Sequence, residues 1–156
     1  KRFRGDDLTF RYPTCWAAVT PVEVSTFSRA IVDLSDGALH DPCHPVPDGT
    51  LCGWPLGRLG PGRLLVRWSE DGAPGWTLGE APGSVVTVGG RPAREAVTEP
   101  GVCGVVGADE TVAVAVATPG VAGNWVAMTA CLRSPHRSQQ AAEVGRMLAS
   151  VDFTPP

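Results

Sequence analysis

The stretch TVAVAVATPGVAGNWVAMTACL, residues Thr111–Leu132, decides the fold predicted for this chain. Its first part, Thr111–Thr118, alternates valine with alanine, so an extended strand would carry valines on one face and alanines on the other. The second part, Asn124–Leu132, follows the turn residues PGVAG and predicts a returning strand. Two strands joined by a short turn pair antiparallel, so the stretch predicts an antiparallel sheet. The small alanine face further predicts that a helix lies close against it.

Other segments with the same alternation predict the remaining strands. They are LTFRYP (Leu8–Pro13), SRAIVDLS (Ser28–Ser35), RLLVRWS (Arg63–Ser69) and SVVTVGGRPAREAVT (Ser84–Thr98). The last of these is long enough for two strands around Gly89 and Gly90. Glycines tolerate the positive φ of a tight hairpin turn, so this pair predicts a two-residue turn.

One helix is predicted near the end of the sequence. Ser134 is suited to cap it, and Pro135 suits the first helical position, where a missing N–H costs nothing. A stripe at helical spacing predicts its buried face: Val144, Met147, Leu148 and Val151. VDF after it predicts a short strand. The fold class is therefore α+β, an antiparallel sheet of six or seven strands packed against a C-terminal helix.

Length and composition predict one domain. A chain of 156 residues with 43% hydrophobic residues can bury a single core. We expect residues 1–7, KRFRGDD, to be a linker and residues 8–154 to form one disulfide-stapled domain. The segment Cys15–Thr26 is ambiguous and is compatible with a second short helix.

The charge pattern argues against some partners. The net charge is −3, and the basic residues are scattered singly, so nucleic acid is not an expected partner. No apolar run is long enough to span a membrane, and no signal-peptide pattern opens the sequence, although we expect an N-terminal anchor to have been removed. Lys1 is the only lysine, and Ala, Gly, Val and Pro are abundant, which indicates a GC-rich, actinobacterial genome.

Five cysteines in a chain of this size predict an extracytoplasmic location, where disulfides persist. Five choices of the odd cysteine times three pairings of the rest give fifteen arrangements. Cys43–Cys52 is favoured because the intervening loop, rich in Pro and Gly, can close. Cys103–Cys131 is the remaining pair. Since the Cα atoms of a disulfide lie within about 7 Å, Cys103 must then occupy a loop or bulge rather than a strand beside Thr111–Thr118.

The fifth cysteine, Cys15, is predicted to be a buried thiol that packs as a small hydrophobic side chain. The alternative is a reactive thiol or an intermolecular disulfide that joins a subunit of a secreted complex.

The loop ALHDPCHPVPDGTLCGW, Ala38–Trp54, contains residue types found in metal and catalytic sites. His40, Asp41, Cys43 and His44 could serve a metal-dependent or hydrolytic enzyme. Pro42 and Pro45 hold the segment extended and oppose the helix that an H-x-x-x-H pair would need. The favoured interpretation is an exposed loop closed by a disulfide. No catalytic residue, metal ligand or cofactor is predicted.

Other polar candidates have structural interpretations as well. His136 is expected to face solvent at the start of the helix. The acidic residues at strand ends and turns are expected to accept hydrogen bonds from backbone N–H groups: Asp33, Asp36, Asp109 and Glu110.

The five tryptophans divide into two groups. Trp16, Trp68 and Trp125 lie in predicted strands or beside them and are expected in the core. Trp54 and Trp76 lie in the loops CGWPLG and APGWTLG. A loop tryptophan either covers the edge of the core or anchors a partner. If the two loops gather at one end of the sheet, Trp54 and Trp76 would form the candidate partner surface.

LTFRYPTCW near the start and EVGRMLASVDF near the end resemble the two ends of PsbP-like domains. Cys15 stands where that family usually has glycine. Exported actinobacterial proteins and lipoproteins with this fold are similar in sequence style. The resemblance implies an antiparallel sheet covered by helices that serves as a binding or accessory module, with no shared catalytic motif.

The sequence therefore predicts a non-catalytic, extracytoplasmic binding or accessory domain for an unknown protein or small ligand. The alternatives are an enzyme centred on the His40–His44 loop and a subunit of a secreted complex.

Overall fold

A computed structural model describes residues 1–22, 27–118 and 123–153. One α-helix, α1 (Arg137–Ala149), and two 3₁₀ turns, Leu78–Glu80 and Gly101–Val106, accompany twelve strands in this part of the chain. The strands are β1 (Arg2–Arg4), β2 (Leu8–Arg11), β3 (Ala17–Val19), β4 (Ser28–Ser35), β5 (Cys43–Val46), β6 (Gly49–Cys52), β7 (Leu64–Gly72), β8 (Ser84–Val88), β9 (Arg91–Thr98), β10 (Glu110–Ala117), β11 (Asn124–Leu132) and β12 (Asp152–Phe153).

Seven strands form one antiparallel sheet in the order β3-β4-β7-β11-β10-β9-β8, called the main sheet below. The predicted valine–alanine hairpin, β10 and β11, lies inside it. A three-stranded sheet has the order β1-β2-β12, and β5 pairs with β6 as a separate hairpin. The predicted α+β class is confirmed. Gly89 and Gly90 connect β8 to β9 with φ of 56° and 76°, as the hairpin prediction requires.

The valine face of β10 is the buried one. Val112, Val114 and Val116 belong to the main core together with Val144 and Met147 of α1. The prediction that the helix lies on the alanine face is wrong. Valine buries more apolar area than alanine, so the larger side chains are turned towards the covering layer.

The three-stranded sheet completes this covering layer. Phe10 of β2 stacks on Trp68 of β7, with ring centroids 5.3 Å apart, and the Trp68 indole N–H donates to the Met147 sulfur at 3.5 Å. Val151 and Phe153 join the same core. We call the face of the main sheet towards α1 and the three-stranded sheet the inner face, and the opposite one the outer face.

Three predictions about the chain ends need correction. Residues 1–7, expected to form a linker, include β1, which pairs with β2. The described part of the Cys15–Thr26 segment contains β3 and no second helix, and residues 23–26 lie outside the described residues. The helix begins at Arg137, with His136 at the N-cap, and not after Ser134. Ser134 is held in a loop instead, because its N–H donates to Asp109 and its carbonyl accepts from Gly62.

Both favoured disulfides are present, Cys43–Cys52 and Cys103–Cys131. Cys43 and Cys52 are directly opposite in the β5–β6 hairpin. Cys103 lies in the 3₁₀ turn Gly101–Val106 rather than in a strand, which brings its Cα to 5.3 Å from that of Cys131. Two disulfides are typical of an oxidising, extracytoplasmic environment. Within the described ranges, no helix has the length and apolar character needed to cross a membrane.

Candidate binding surface

The outer face of the main sheet carries both loop tryptophans that the sequence singled out. Side chains directly opposite in neighbouring strands lie on the same face, so the strand register defines the rows of side chains across it. One row contains Asp33, Arg67, Thr129, Ala113 and Ala96. The next contains Ser69, Ala127, Ala115 and Arg94, and a third contains Asp71, Trp125 and Ala117.

A second, smaller core covers one end of this face. Leu65 and Cys131 pack under Cys103, Leu59 and Val106, all nearly inaccessible to solvent. The disulfide ties this cover to β11. The cover therefore closes the sheet at the row before Arg67. At the other end, the loop that carries Trp76 continues into the 3₁₀ turn Leu78–Glu80, which lies against β10, and Arg94 donates to the carbonyls of Ala81 and Gly83.

Trp54 forms the first border of the region between these two ends. The guanidinium carbon of Arg67 lies 4.6 Å from the centroid of the Trp54 ring. Arg67 donates to both carboxylate oxygens of Asp33, at 2.7 and 2.8 Å, and to the Gly53 carbonyl at 2.7 Å. Asp33 is completely buried and the Arg67 side chain is 20% exposed. The ion pair therefore holds the Trp54 loop against the sheet.

Trp76 forms the second border. It stacks on Trp125 of β11, with ring centroids 4.2 Å apart and an angle of 24° between the rings. The backbone N–H of Ala73 donates to the Gly123 carbonyl at 2.7 Å, which fixes the loop that carries Trp76. Trp125, predicted to lie in the core, is half-buried on the outer face instead.

From the Arg67 row to the Ser69 row, beside the two tryptophans, the sheet has small side chains that we call the alanine trough. Its members are half-buried: Ser69, Ala96, Ala113, Ala115, Ala127 and Thr129. Arg67 and Asp71 mark the rows of the two borders and are four residues apart in β7. At about 3.3 Å per residue, the borders are about 13 Å apart along the strands.

The structure thus places Trp54 and Trp76 on one face, but not together at one end. The sequence missed Trp125 and Arg67 as partners of these rings. The available signal was positional: in the alternation of β7 and β11, Arg67 and Trp125 fall on the face opposite the buried Trp68 and Met128.

The His40–His44 loop is an exposed loop closed by the Cys43–Cys52 disulfide, as the favoured interpretation expects. His40 and His44 are exposed, Cys43 is held in its disulfide, and an oxygen of Asp41 accepts from the Cys43 backbone N–H at 2.9 Å. Among the described residues, no group of three His, Cys, Asp or Glu side chains is placed to hold a metal ion. The hypothesis of a metal-dependent or hydrolytic enzyme centred on this loop stays a prediction.

Two of the four acidic residues accept backbone hydrogen bonds as predicted. Asp36 accepts from the Leu64 N–H at 3.0 Å, and Asp109 accepts from the Ser134 N–H at 2.8 Å. The Ser134 hydrogen bond lowers the pKa of Asp109, because it stabilises the ionised carboxylate. Asp33 differs, since it pairs with Arg67.

Glu110 also departs from the expectation, because its side chain lies 3.4 Å from Arg137. A hydrogen bond to Glu99 raises the pKa of Arg137. Cys15 is exposed rather than buried, so the prediction of a buried thiol is wrong.

No protein-family model and no curated protein matches the chain. A crystal structure of a protein from Bacteroides thetaiotaomicron VPI-5482 is similar to it, at 12% sequence identity and a TM-score of 0.45. The similarity covers 95% of this chain and 45% of that one, so the chain spans less than half the length of that protein. A similarity of this size carries no functional argument. The resemblance to PsbP-like domains and the actinobacterial origin stay predictions.

Proposed function

We propose that the chain is a non-catalytic, extracytoplasmic binding domain that holds a helical segment of a protein partner in the alanine trough. The observation that carries the proposal is the composition of the outer face. An antiparallel sheet with one face in water usually alternates apolar and polar side chains. Here the outward positions of β10 are Ala113, Ala115 and Ala117. Alanine is a poor strand former, so these positions favour close approach of a partner over strand stability.

The dimensions of the trough support a helix as the occupant. An α-helix with its side chains is about 10–12 Å across, which is close to the spacing of about 13 Å along β7 between the Arg67 and Asp71 rows. Trp54 and Trp76 would then contact the two sides of the helix. Tryptophan is enriched among residues that dominate binding energies, because it buries a large, rigid surface.

The two disulfides support the location outside the cytoplasm. A domain secreted or anchored on the outer side of the cell membrane agrees with this chemistry. The accessory role implied by the resemblance to PsbP-like domains agrees with it too.

Photo-crosslinking tests the proposal directly. A benzophenone amino acid replaces Ala115 in the trough or, as the matched control, the exposed Ala141 of α1. Each variant is expressed in the producing organism and irradiated. We expect one discrete protein adduct from position 115, none from position 141, and loss of that adduct in the Trp54→Ala and Trp76→Ala backgrounds.

Mass spectrometry of the adduct then identifies the crosslinked segment. A crosslinked peptide from a helix of the partner supports the proposal. Equal labelling at positions 115 and 141, or an adduct that both tryptophan variants retain, would overturn it. An adduct of low molecular mass would show that the occupant of the trough is a small ligand and not a protein, and would overturn the proposal of a helical partner. Urea unfolding confirms that each tryptophan variant is folded before it is used.

A further inference from the structure

A cavity of about 410 Å³ lies at one end of the inner layer, between the main sheet and the three-stranded sheet. Both sheets contribute apolar walls: Phe3, Leu8, Ile31, Val126 and Phe153. No residue of α1 lines it, because α1 covers another part of the inner face. Small-molecule sites commonly have volumes of about 300–1,000 Å³ and mostly apolar walls with a few polar groups. The cavity satisfies both conditions, and it lies on the face opposite the alanine trough.

The charged residues of the cavity differ in their surroundings. Arg29 and Glu70 neutralise each other, with 2.8 Å between guanidinium nitrogen and carboxylate oxygen. Arg4, Asp6 and Asp7 are exposed in and beside the bend between β1 and β2. Water screens charges in such positions, so these three contribute little to binding inside the cavity.

Arg91 is the exception. It is half-buried, and its guanidinium carbon lies 4.2 Å from the centroid of the Phe153 ring, on the apolar wall. It makes no ion pair with any residue in the described ranges. A guanidinium stacked on an aromatic ring keeps its N–H donors free at the edge, in the geometry that binds a carboxylate through two hydrogen bonds.

Thr118 supplies a second unused group. Its side-chain hydroxyl is buried and has no hydrogen-bond partner among the described residues, and Thr118 lines the same cavity. Buried polar groups are nearly always hydrogen-bonded, and an unsatisfied hydroxyl costs about 1–3 kcal/mol. A ligand atom that accepts from this hydroxyl would recover part of that cost.

We propose that this cavity binds a small organic anion with an apolar body, such as a medium-chain carboxylate. Arg91 holds the carboxylate, Phe3, Phe153 and Val126 surround the hydrocarbon, and the Thr118 hydroxyl donates to an oxygen of the ligand. The site is independent of the alanine trough, so either proposal can fail while the other stands.

Three probes of equal chain length separate charge from hydrophobic contact: decanoate, decanol and decylammonium. Isothermal titration calorimetry of the disulfide-intact protein at neutral pH measures decanoate and decylammonium below their micelle-forming concentrations and decanol below its solubility limit. We expect saturable binding at one site, with decanoate tightest and decylammonium weakest. Equal or tighter binding of decylammonium would refute recognition of an anion. Absence of saturable binding by all three would refute the site.

Variants then locate the site. Arg91→Gln should weaken decanoate about 10- to 100-fold, the loss expected for hydrogen bonds to a charged group, and leave decanol nearly unchanged. Thr118→Val should weaken decanoate about 2- to 10-fold without reducing stability, because the hydroxyl it removes has no hydrogen-bond partner among residues 1–22, 27–118 and 123–153. Arg146→Gln, on the exposed face of α1, is the matched control and should bind as the wild type does.

Val126→Phe, which fills the cavity, should abolish binding of decanoate and decanol alike. If that variant does not fold, Arg91→Gln and Thr118→Val still decide the outcome. Wild-type affinity for decanoate in both of them would place the ligand elsewhere and overturn the proposal.

Discussion

Replacing Arg67 with methionine leaves the buried carboxylate of Asp33 without its cation. Methionine keeps much of the length and the apolar stem of arginine but removes the three hydrogen bonds that Arg67 donates to Asp33 and Gly53. It also removes the charge that lies beside the Trp54 ring. The substitution therefore tests whether this pair holds the Trp54 loop on the outer face.

The solvent exposure of Asp33 and Arg67 determines how much stability the substitution costs. Removing one member of a buried ion pair costs about 3–5 kcal/mol, because the other is left buried and uncompensated. Asp33 is fully buried, whereas the Arg67 side chain is 20% exposed and water reaches that side of the pair. We therefore expect the lower end, about 3 kcal/mol. For a domain of this size, the melting temperature should fall by about 6–12 °C.

Urea unfolding with the disulfides intact measures the free energy of unfolding. Arg29→Met is the matched control, since it breaks a pair whose side chains are 51% and 40% exposed and should cost under about 1 kcal/mol. Asp33→Asn in the Arg67→Met background should restore part of the loss, because it removes the uncompensated charge. If Arg67→Met costs no more than Arg29→Met, the buried-pair argument is wrong.

Three further predictions concern the covers and turns of the fold. The Cys103→Ala, Cys131→Ala double variant should lose about 3.6 kcal/mol on the chain-entropy model, against about 2.6 kcal/mol for Cys43→Ala, Cys52→Ala, since the sequence separations are 28 and 9. Cys15→Ser, an exposed thiol, is the control, and the reverse order in urea unfolding would contradict the model. Asp109 stabilises the fold above its unfolded pKa of about 3.9 and loses that contribution as pH falls through its lower folded pKa. Wild type should therefore lose more stability than Asp109→Asn between about pH 5 and that folded pKa, and parallel curves of unfolding free energy against pH would exclude the effect. Gly89→Ala should destabilise more than Gly90→Ala in thermal unfolding, because both have positive φ but only the Gly89 Cβ would meet the Phe153 ring, at 2.7 Å. Equal losses would show that the ring moves aside freely.

The strands and their hairpins could be predicted because their signals are local. The alternation in Thr111–Leu132 and the Gly89–Gly90 turn each depend on neighbouring residues, and the structure confirms both. The position of the helix could not be predicted this way. Alternation shows that a strand has two different faces, but not which face the distant helix will cover.

The candidate sites also contain some residues that local sequence could indicate and others that only the tertiary contacts show. Trp54 and Trp76 could be recognised as loop tryptophans from the glycines and prolines beside them. Their stacking partners, Arg67 and Trp125, could not be recognised, because each pairing depends on where a loop crosses the sheet. The cavity beside Arg91 left no local pattern at all, since its walls come from segments far apart in the chain.

The sequence by itself determined the strand pattern and the α+β class, because period-two alternation and turn glycines act over short range. It favoured the two disulfides among fifteen arrangements without fixing them. Only the tertiary structure decided that the valine face of β10 is buried, that Cys15 is exposed, that the alanine trough is half-buried, and that a cavity lies beside Arg91. Those outcomes depend on which surfaces bury the most apolar area when all layers pack together, and no single segment carries that information.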